Sequence, residues 1–141
     1  MEKTRTSSSA KTTPLEGLQN VAFYFLLGAT LYSLIEVAWR GYTHWTMAIL
    51  GGVVTVLLKA LDHVFPAAPM LFKATVGAAA ITILELIAGI IINHKHNLGV
   101  WSYDTVPYNI LGQICPIYTL YWFLLCIAAF YLFRFIELIR A

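Results

Sequence analysis

Four apolar stretches, 17–37, 46–61, 70–93 and 110–133, decide what this chain can fold into. A helix needs about 20 apolar residues to cross the hydrocarbon core of a bilayer. Three of the stretches reach that length. The second is shorter, but the tight polar turn before it pairs it with the first as a hairpin. Only 11% of the residues are charged, against about 25% in soluble domains. A chain so poor in charge cannot keep its surface wet, so lipid is its expected solvent. In lipid every backbone N–H and C=O must be paired internally, which a helix does by itself. Runs this long and this continuously apolar read as helices. The expected fold class is all-α: an integral membrane four-helix bundle, with an aromatic and polar outer loop between helices 3 and 4.

The chain divides simply. Residues 1–14 are polar, rich in Ser and Thr, and carry Lys3, Arg5 and Lys11. They lack the apolar core of a signal peptide and read as a disordered cytoplasmic tail. Residues 15–141 form one transmembrane domain. A net charge of +2 is too weak to imply a nucleic-acid partner. Its distribution says more. Lys3, Arg5, Lys11, Lys59, Lys73, Arg134 and Arg140 fall on the side of the termini, and Arg40 and Lys95 on the other. By the positive-inside rule both termini are cytoplasmic and the protein sits in the cell membrane. Trp39, Tyr42 and Trp45 fit an interfacial aromatic belt. Lys73 is placed to snorkel at the start of the third span. Pro116, near the start of the fourth, predicts a kink or a short pre-helix. Cys115 and Cys126, eleven residues apart on one expected helix, are separated by about 16 Å. That is too far for a disulfide, so both read as small apolar fillers.

The stretch 100–115 is the only long segment rich in both aromatic and polar groups. It reads as a cap on one membrane face that plugs polar side chains into the bundle. The candidate substrate-binding residues gather around it: Glu36, Arg40, Glu85, Asn93, Trp101, Asn109 and Gln113. Glu36 and Arg40 share a helix face, either as an interfacial ion pair or as half of an outward-facing site. Glu85 lies eight residues before Asn93, about 12 Å below the outer end of its helix. An ionisable residue at that depth marks a functional site unless it merely locks helices together. Glu85, Gly89 and Asn93 fall on one face, which points into the bundle. Asn109 and Gln113, one turn apart on the expected fourth helix, are within reach of Glu85, Asn93 or Arg40, with structural hydrogen bonding as the plainer role. His44, His94, His96 and Asp104 read as outer-surface residues, and nothing fixes His94 and His96 as metal ligands. The expectation is no metal, no cofactor and no catalytic residue. No Ser-His-Asp, phosphate-loop or paired-carboxylate spacing stands out, although bundles do assemble sites from distant positions.

Two segments carry a family resemblance. One is Tyr32-Ser33-Leu34-Ile35-Glu36-Val37-Ala38-Trp39-Arg40-Gly41-Tyr42-Thr43-His44-Trp45-Thr46-Met47, followed by Gly51-Gly52. The other is Val100-Trp101-Ser102-Tyr103 with Pro107-Tyr108-Asn109-Ile110-Leu111-Gly112-Gln113-Ile114-Cys115. Together they resemble the putative ABC-transporter type IV membrane proteins, also called CmpB-like, over about residues 25 to 125. In one place the chain departs from the family pattern. The family's Trp-Asp-Tyr-Ser stands here as Trp101-Ser102-Tyr103-Asp104, with the acid two positions later. The resemblance implies a bacterial integral membrane protein, by its name a permease. Nothing in the chain resembles a nucleotide-binding domain, so any ATPase is a separate subunit.

The functional expectation is a transporter permease-like membrane subunit of unknown substrate. Four short helices enclose little space alone. A pathway needs further copies of the chain or another membrane subunit, packed on Gly51-Gly52 or on the small residues 77–80. Two rivals stand beside it. One is a membrane assembly or scaffold protein without a pathway. The other is a membrane-embedded enzyme acting on a lipid or envelope precursor.

Overall fold

The computed structural model describes residues 12–141. Most of the expected tail therefore lies outside the described residues. Helix α1 spans Pro14–Arg40, α2 Trp45–Val64, α3 Met70–Gly89 and α4 Pro116–Arg140. A six-residue π-helical segment, Ile90–Lys95, prolongs α3. All four helices are long and apolar enough to cross a membrane. The protein is an all-α, multi-pass membrane bundle, with the loop 96–115 closing one end.

Local chemistry sets the helix ends. Thr13 caps α1: its hydroxyl accepts from the Glu16 N–H while the Glu16 carboxylate accepts from the Thr13 N–H. Pro14 follows at the first helical position, where its missing N–H costs nothing. Gly41 ends α1 at φ 83°, a conformation that glycine adopts freely. His44 Nδ1 accepts from the Thr46 N–H and starts α2. The start of α4 differs from the sequence expectation. Residues 110–115 are loop, and Pro116 neither kinks the helix nor follows a pre-helix but is its first residue. The ring of Pro116 forces Cys115 into extended backbone, φ −157° and ψ 157°, because a residue before proline is disfavoured in the helical region. Asn109, Gln113 and Cys115 therefore belong to the loop, not to the fourth helix. Both cysteines are free and buried.

The bundle is two hairpins. In the first, Gly28 of α1 faces Gly51 and Thr55 of α2 so closely that a Cβ on Gly28 would lie 2.6 Å from the Gly51 carbonyl oxygen. Gly52 makes room for the Phe25 ring in the same way. These glycines let the two backbones approach, as in small-residue packing between membrane helices. In the second hairpin Gly77 of α3 packs on Cys126 of α4, and Leu58 of α2 reaches the same spot. Helix α2 links the hairpins. No α-carbon of α1 comes within 8 Å of one in α4. That wider seam is bridged by aromatic pairs: Tyr24–Phe133, Tyr32–Trp122 and Trp39–Tyr121.

The main core lies toward the end that carries Thr13 and Arg140, here called the terminal end. It comprises Tyr24, Leu58, Ala74, Ile81, Cys126, Phe130 and Phe133. A smaller core of Met47, Val100 and Trp101 lies at the opposite, loop end. Lys73 does not snorkel. It is 1% exposed, ion-paired to Asp62 at 2.5 Å, with its Nζ 5.1 Å from the Phe130 ring centre. Asp62 sits one turn beyond Lys59 on α2, so a carboxylate is within reach and burial becomes cheaper than a stretch to the interface. Lys59 pairs in turn with Asp62 and with Glu137 of α4.

Candidate functional site

At the loop end the last turn of α1 presents Glu36 and Arg40 on one face. Arg40 Nη2 donates to Glu36 Oε2 at 2.9 Å, and Thr43 Oγ1 donates to the same oxygen at 3.2 Å. The Tyr32 hydroxyl, one turn earlier, donates to Glu36 Oε1 at 3.4 Å. The guanidinium also reaches outward: Nη1 donates to the Val100 carbonyl at 2.7 Å. Arg40 thus ties α1 to the loop, stacked 4.5 Å over the Tyr42 ring. Its Nε is buried without a hydrogen-bond partner among the described residues.

From Val100 the network passes to α3. The Val100 N–H donates to Asn93 Oδ1, and Asn93 Nδ2 donates to Gln113 Oε1, both at 2.7 Å. Trp101 Nε1 donates to the Gln113 carbonyl at 3.1 Å. Gly89 makes space for Gln113: a Cβ there would lie 2.9 Å from the Gln113 Cβ. The π-helical segment carries Asn93, and such segments recur at functional sites. Glu36, Arg40, Asn93, Trp101 and Gln113 are therefore brought together, joined through the Val100 peptide.

Glu85 lies deeper. Its carboxylate accepts from the Tyr103 hydroxyl at 2.7 Å and from Trp122 Nε1 at 2.9 Å. It is 4% exposed, and no cation lies within ion-pair distance among the described residues. Tyr103 hangs from the loop and stacks on Tyr118 of α4, ring centres 4.4 Å apart. Burial, and then the neighbouring Glu85 charge, push the Tyr103 phenol well above its ordinary range. It stays a hydrogen-bond donor at any ordinary pH.

Asn109 stands apart. Its side chain donates to the Val106 and Asp104 carbonyls and accepts from the Gly112 N–H. It therefore folds the loop on itself and touches none of Glu85, Asn93 or Arg40. It holds the turn in which Tyr108, Leu111 and Gly112 adopt left-handed backbone. Asp104 is likewise engaged locally, with Ser102. His94 contacts the Leu111 carbonyl at 3.0 Å. Among the described residues no three His, Cys, Asp or Glu side chains converge as metal ligands would.

Sequence reasoning missed Tyr32, Tyr103 and Trp122 as the partners of the two acids. The available signal was chemical. Tyr and Trp each carry one polar atom that seeks a partner when buried, and in a nearly uncharged bundle two glutamates are obvious acceptors. A cavity of about 200 Å³ borders this site. It lies between all four helices, with Tyr32, Glu85 and Trp122 toward its loop end and, Thr55 apart, apolar side chains elsewhere. A buried carboxylate beside such a cavity, held only by neutral donors, can take a proton or a cation without dismantling an ion pair.

The model of the family described as "Putative ABC-transporter type IV" matches residues 23–139, and the chain belongs to that family. Neither a curated protein nor a solved structure matches it.

Proposed function

We propose that this family member is a permease-like transport subunit in which Glu85, beneath the lid formed by residues 96–115, is the substrate- or ion-coupling group. The observation that carries the proposal is the setting of Glu85: 4% exposed, mid-helix, bonded among the described residues only to Tyr103 and Trp122, and facing a cavity. A charge placed so deep in a membrane helix is expensive, and its usual purpose is an ion or substrate path. Glu36, Arg40, Asn93, Trp101 and Gln113 form the polar roof of that path, and Asn109 shapes the lid. Because the chain resembles no nucleotide-binding domain, energy would come from a separate ATPase subunit. Several copies, or a second membrane subunit, would complete the pathway. The lysine and arginine distribution supports a bacterial cell membrane orientation with the terminal end cytoplasmic.

The test is purification of the tagged chain in mild detergent, followed by reconstitution of what accompanies it. The expected result is a stoichiometric ATPase whose turnover in proteoliposomes falls when Glu85 becomes Gln while the assembly stays intact. A homo-oligomer alone, or turnover indifferent to Glu85→Gln, overturns the proposal. The orientation is tested separately. A cysteine placed at exposed Ser102 should react with an impermeant reagent on intact cells, and reaction only after permeabilisation reverses it.

A second reading, an assembly protein whose cluster is purely structural, draws on the saturation of that cluster. Both Glu85 oxygens, both Asn93 side-chain atoms and both Gln113 side-chain atoms are hydrogen-bonded within the chain. Under that reading Glu85→Gln lowers stability and changes no flux.

A further inference from the structure

A second cavity lies at the terminal end. It is about 630 Å³, formed where the first turns of α1 meet the last turns of α2 and α4. Lys59, His63 and Arg140 line it, together with Glu137. The Glu137 carboxylate is spoken for by Lys59. His63 and Arg140 have no carboxylate within ion-pair distance among the described residues. Among the described residues Arg140 donates only to Asn20 Oδ1, at 3.2 Å, and rests over the Phe23 ring. The vestibule is thus net basic at neutral pH, before His63 is counted.

This vestibule and the apolar cavity lie on the same seam. One turn further in, Tyr24 gives way to Leu27 and Gly28, Lys59 to Thr55, and Glu137 to Phe133, all of them lining the apolar cavity. Tyr24 lines the vestibule and Phe133 the apolar cavity, and the two rings meet edge-on, their centres 5.3 Å apart. The apolar cavity also opens sideways, since Leu31, Ile35 and Ala128 line it and are exposed. From Tyr24 to Ile35 the seam runs eleven residues, about 16 Å of helix. That is about half of a 30 Å hydrocarbon core, the depth of one leaflet. A basic mouth at the membrane surface, an apolar slot one leaflet deep and a side opening to lipid together match a particular shape of molecule.

We propose that the α1–α4 seam binds an anionic amphiphile, with its phosphate head among Lys59, His63 and Arg140 and its chain in the apolar cavity beyond Tyr24 and Phe133. Basic side chains at this depth attract anionic headgroups, and the edge-on Tyr24–Phe133 pair lies where head and chain meet. The site does not depend on the orientation of the protein; Glu85 lines the same apolar cavity at its loop end, away from the basic mouth.

Native mass spectrometry of the full chain, released from vesicles of phosphatidylglycerol mixed equally with phosphatidylcholine of the same acyl chains, tests it. Phosphatidylglycerol should be retained about tenfold over phosphatidylcholine. His63→Gln with Arg140→Gln, both on exposed side chains, should bring the two lipids level. Ala128→Trp, which fills the slot from its exposed side, should lower retention of phosphatidylglycerol without touching the basic mouth. Inorganic phosphate and glycerol phosphate separate a lipid site from a free-anion site, and neither should displace the lipid at millimolar concentration. Equal retention of the two lipids in the unmodified chain overturns the proposal. So does retention that ignores all three substitutions, or full displacement by inorganic phosphate.

Discussion

The two ends of the bundle hold their buried charge in opposite ways. At the terminal end charge meets charge. Lys73, Asp62, Lys59 and Glu137 alternate in sign across α3, α2 and α4. At the loop end Arg40 pairs with Glu36 but spends its other terminal nitrogen on a backbone carbonyl, and among the described residues Glu85 meets only a phenol and an indole. The first arrangement is closed. Each charge is neutralised by the next, and removing a buried member strips its neighbour. The second is open, because the charge of Glu85 is solvated by dipoles that remain in place whether the carboxyl is charged or not. Closed charge holds helices together, and open charge can change state. The contrast places the structural staple at one end and the candidate transport chemistry at the other.

Breaking the staple should give the largest effect. Asp62→Leu leaves the Lys73 ammonium, 1% exposed, without its carboxylate. The expected loss is about 3–5 kcal/mol, the usual cost of stripping one partner from a buried pair. Adding Lys73→Met should restore most of it, because two apolar groups replace two charges. Thermal unfolding in detergent reads both. A single-variant loss below about 1 kcal/mol would mean that packing, and not charge, holds this end.

Glu85→Gln should cost less. The carboxamide keeps the shape, but its NH₂ now faces the donor of either Tyr103 or Trp122. One unsatisfied buried donor is worth about 1–3 kcal/mol. If Glu85→Gln proved more damaging to stability than Asp62→Leu, the loop end would be the staple and the contrast would be inverted.

Tyr103→Phe sharpens the picture of the lid. It removes one hydrogen bond to Glu85 and keeps the stack on Tyr118. A loss of at least about 1 kcal/mol is expected, because one buried Glu85 oxygen loses its donor, and the loosening should be confined to the loop. Amide exchange of residues 96–112 should then quicken about fivefold, while α1 and α2 keep their protection. Faster exchange throughout the bundle would show that the loop is part of the global core and not a lid.

The fold was legible because one physical rule dominates it: in lipid, long apolar runs have few alternatives to helix. The site was half legible. Glu36, Arg40, Asn93 and Gln113 announce themselves as polar residues at the ends of apolar runs. Their actual connection, through the backbone of Val100 and the ring of Trp101, is a property of the loop's path and has no periodic signature. The path itself turns on Pro116. Reading the fourth helix back to residue 110 placed Asn109 and Gln113 on one helical face. The proline starts the helix instead and frees both for separate jobs. Lys73 was misread for a related reason. Snorkelling is the default for a lone lysine near an interface, and the sequence does not say that Asp62 crosses to meet it from the preceding helix.

The smallest expected effect tests how far the closed chain extends. Glu137 is its last member, and its side chain is 54% exposed. Exposed pairs contribute little, because water and salt already screen them. Lys59 would keep Asp62 at 3.7 Å and its place over the Tyr24 and Phe133 rings. Glu137→Gln should therefore cost at most about 0.5 kcal/mol, and that cost should vanish in high salt. A loss near that of Asp62→Leu, insensitive to salt, would mean that the four charges act as one cooperative network reaching the membrane surface. The terminal end would then be rigid out to its mouth. The Tyr24–Phe133 pair, which lies under Lys59, would be fixed with it, and the seam between α1 and α4 could not open from that side.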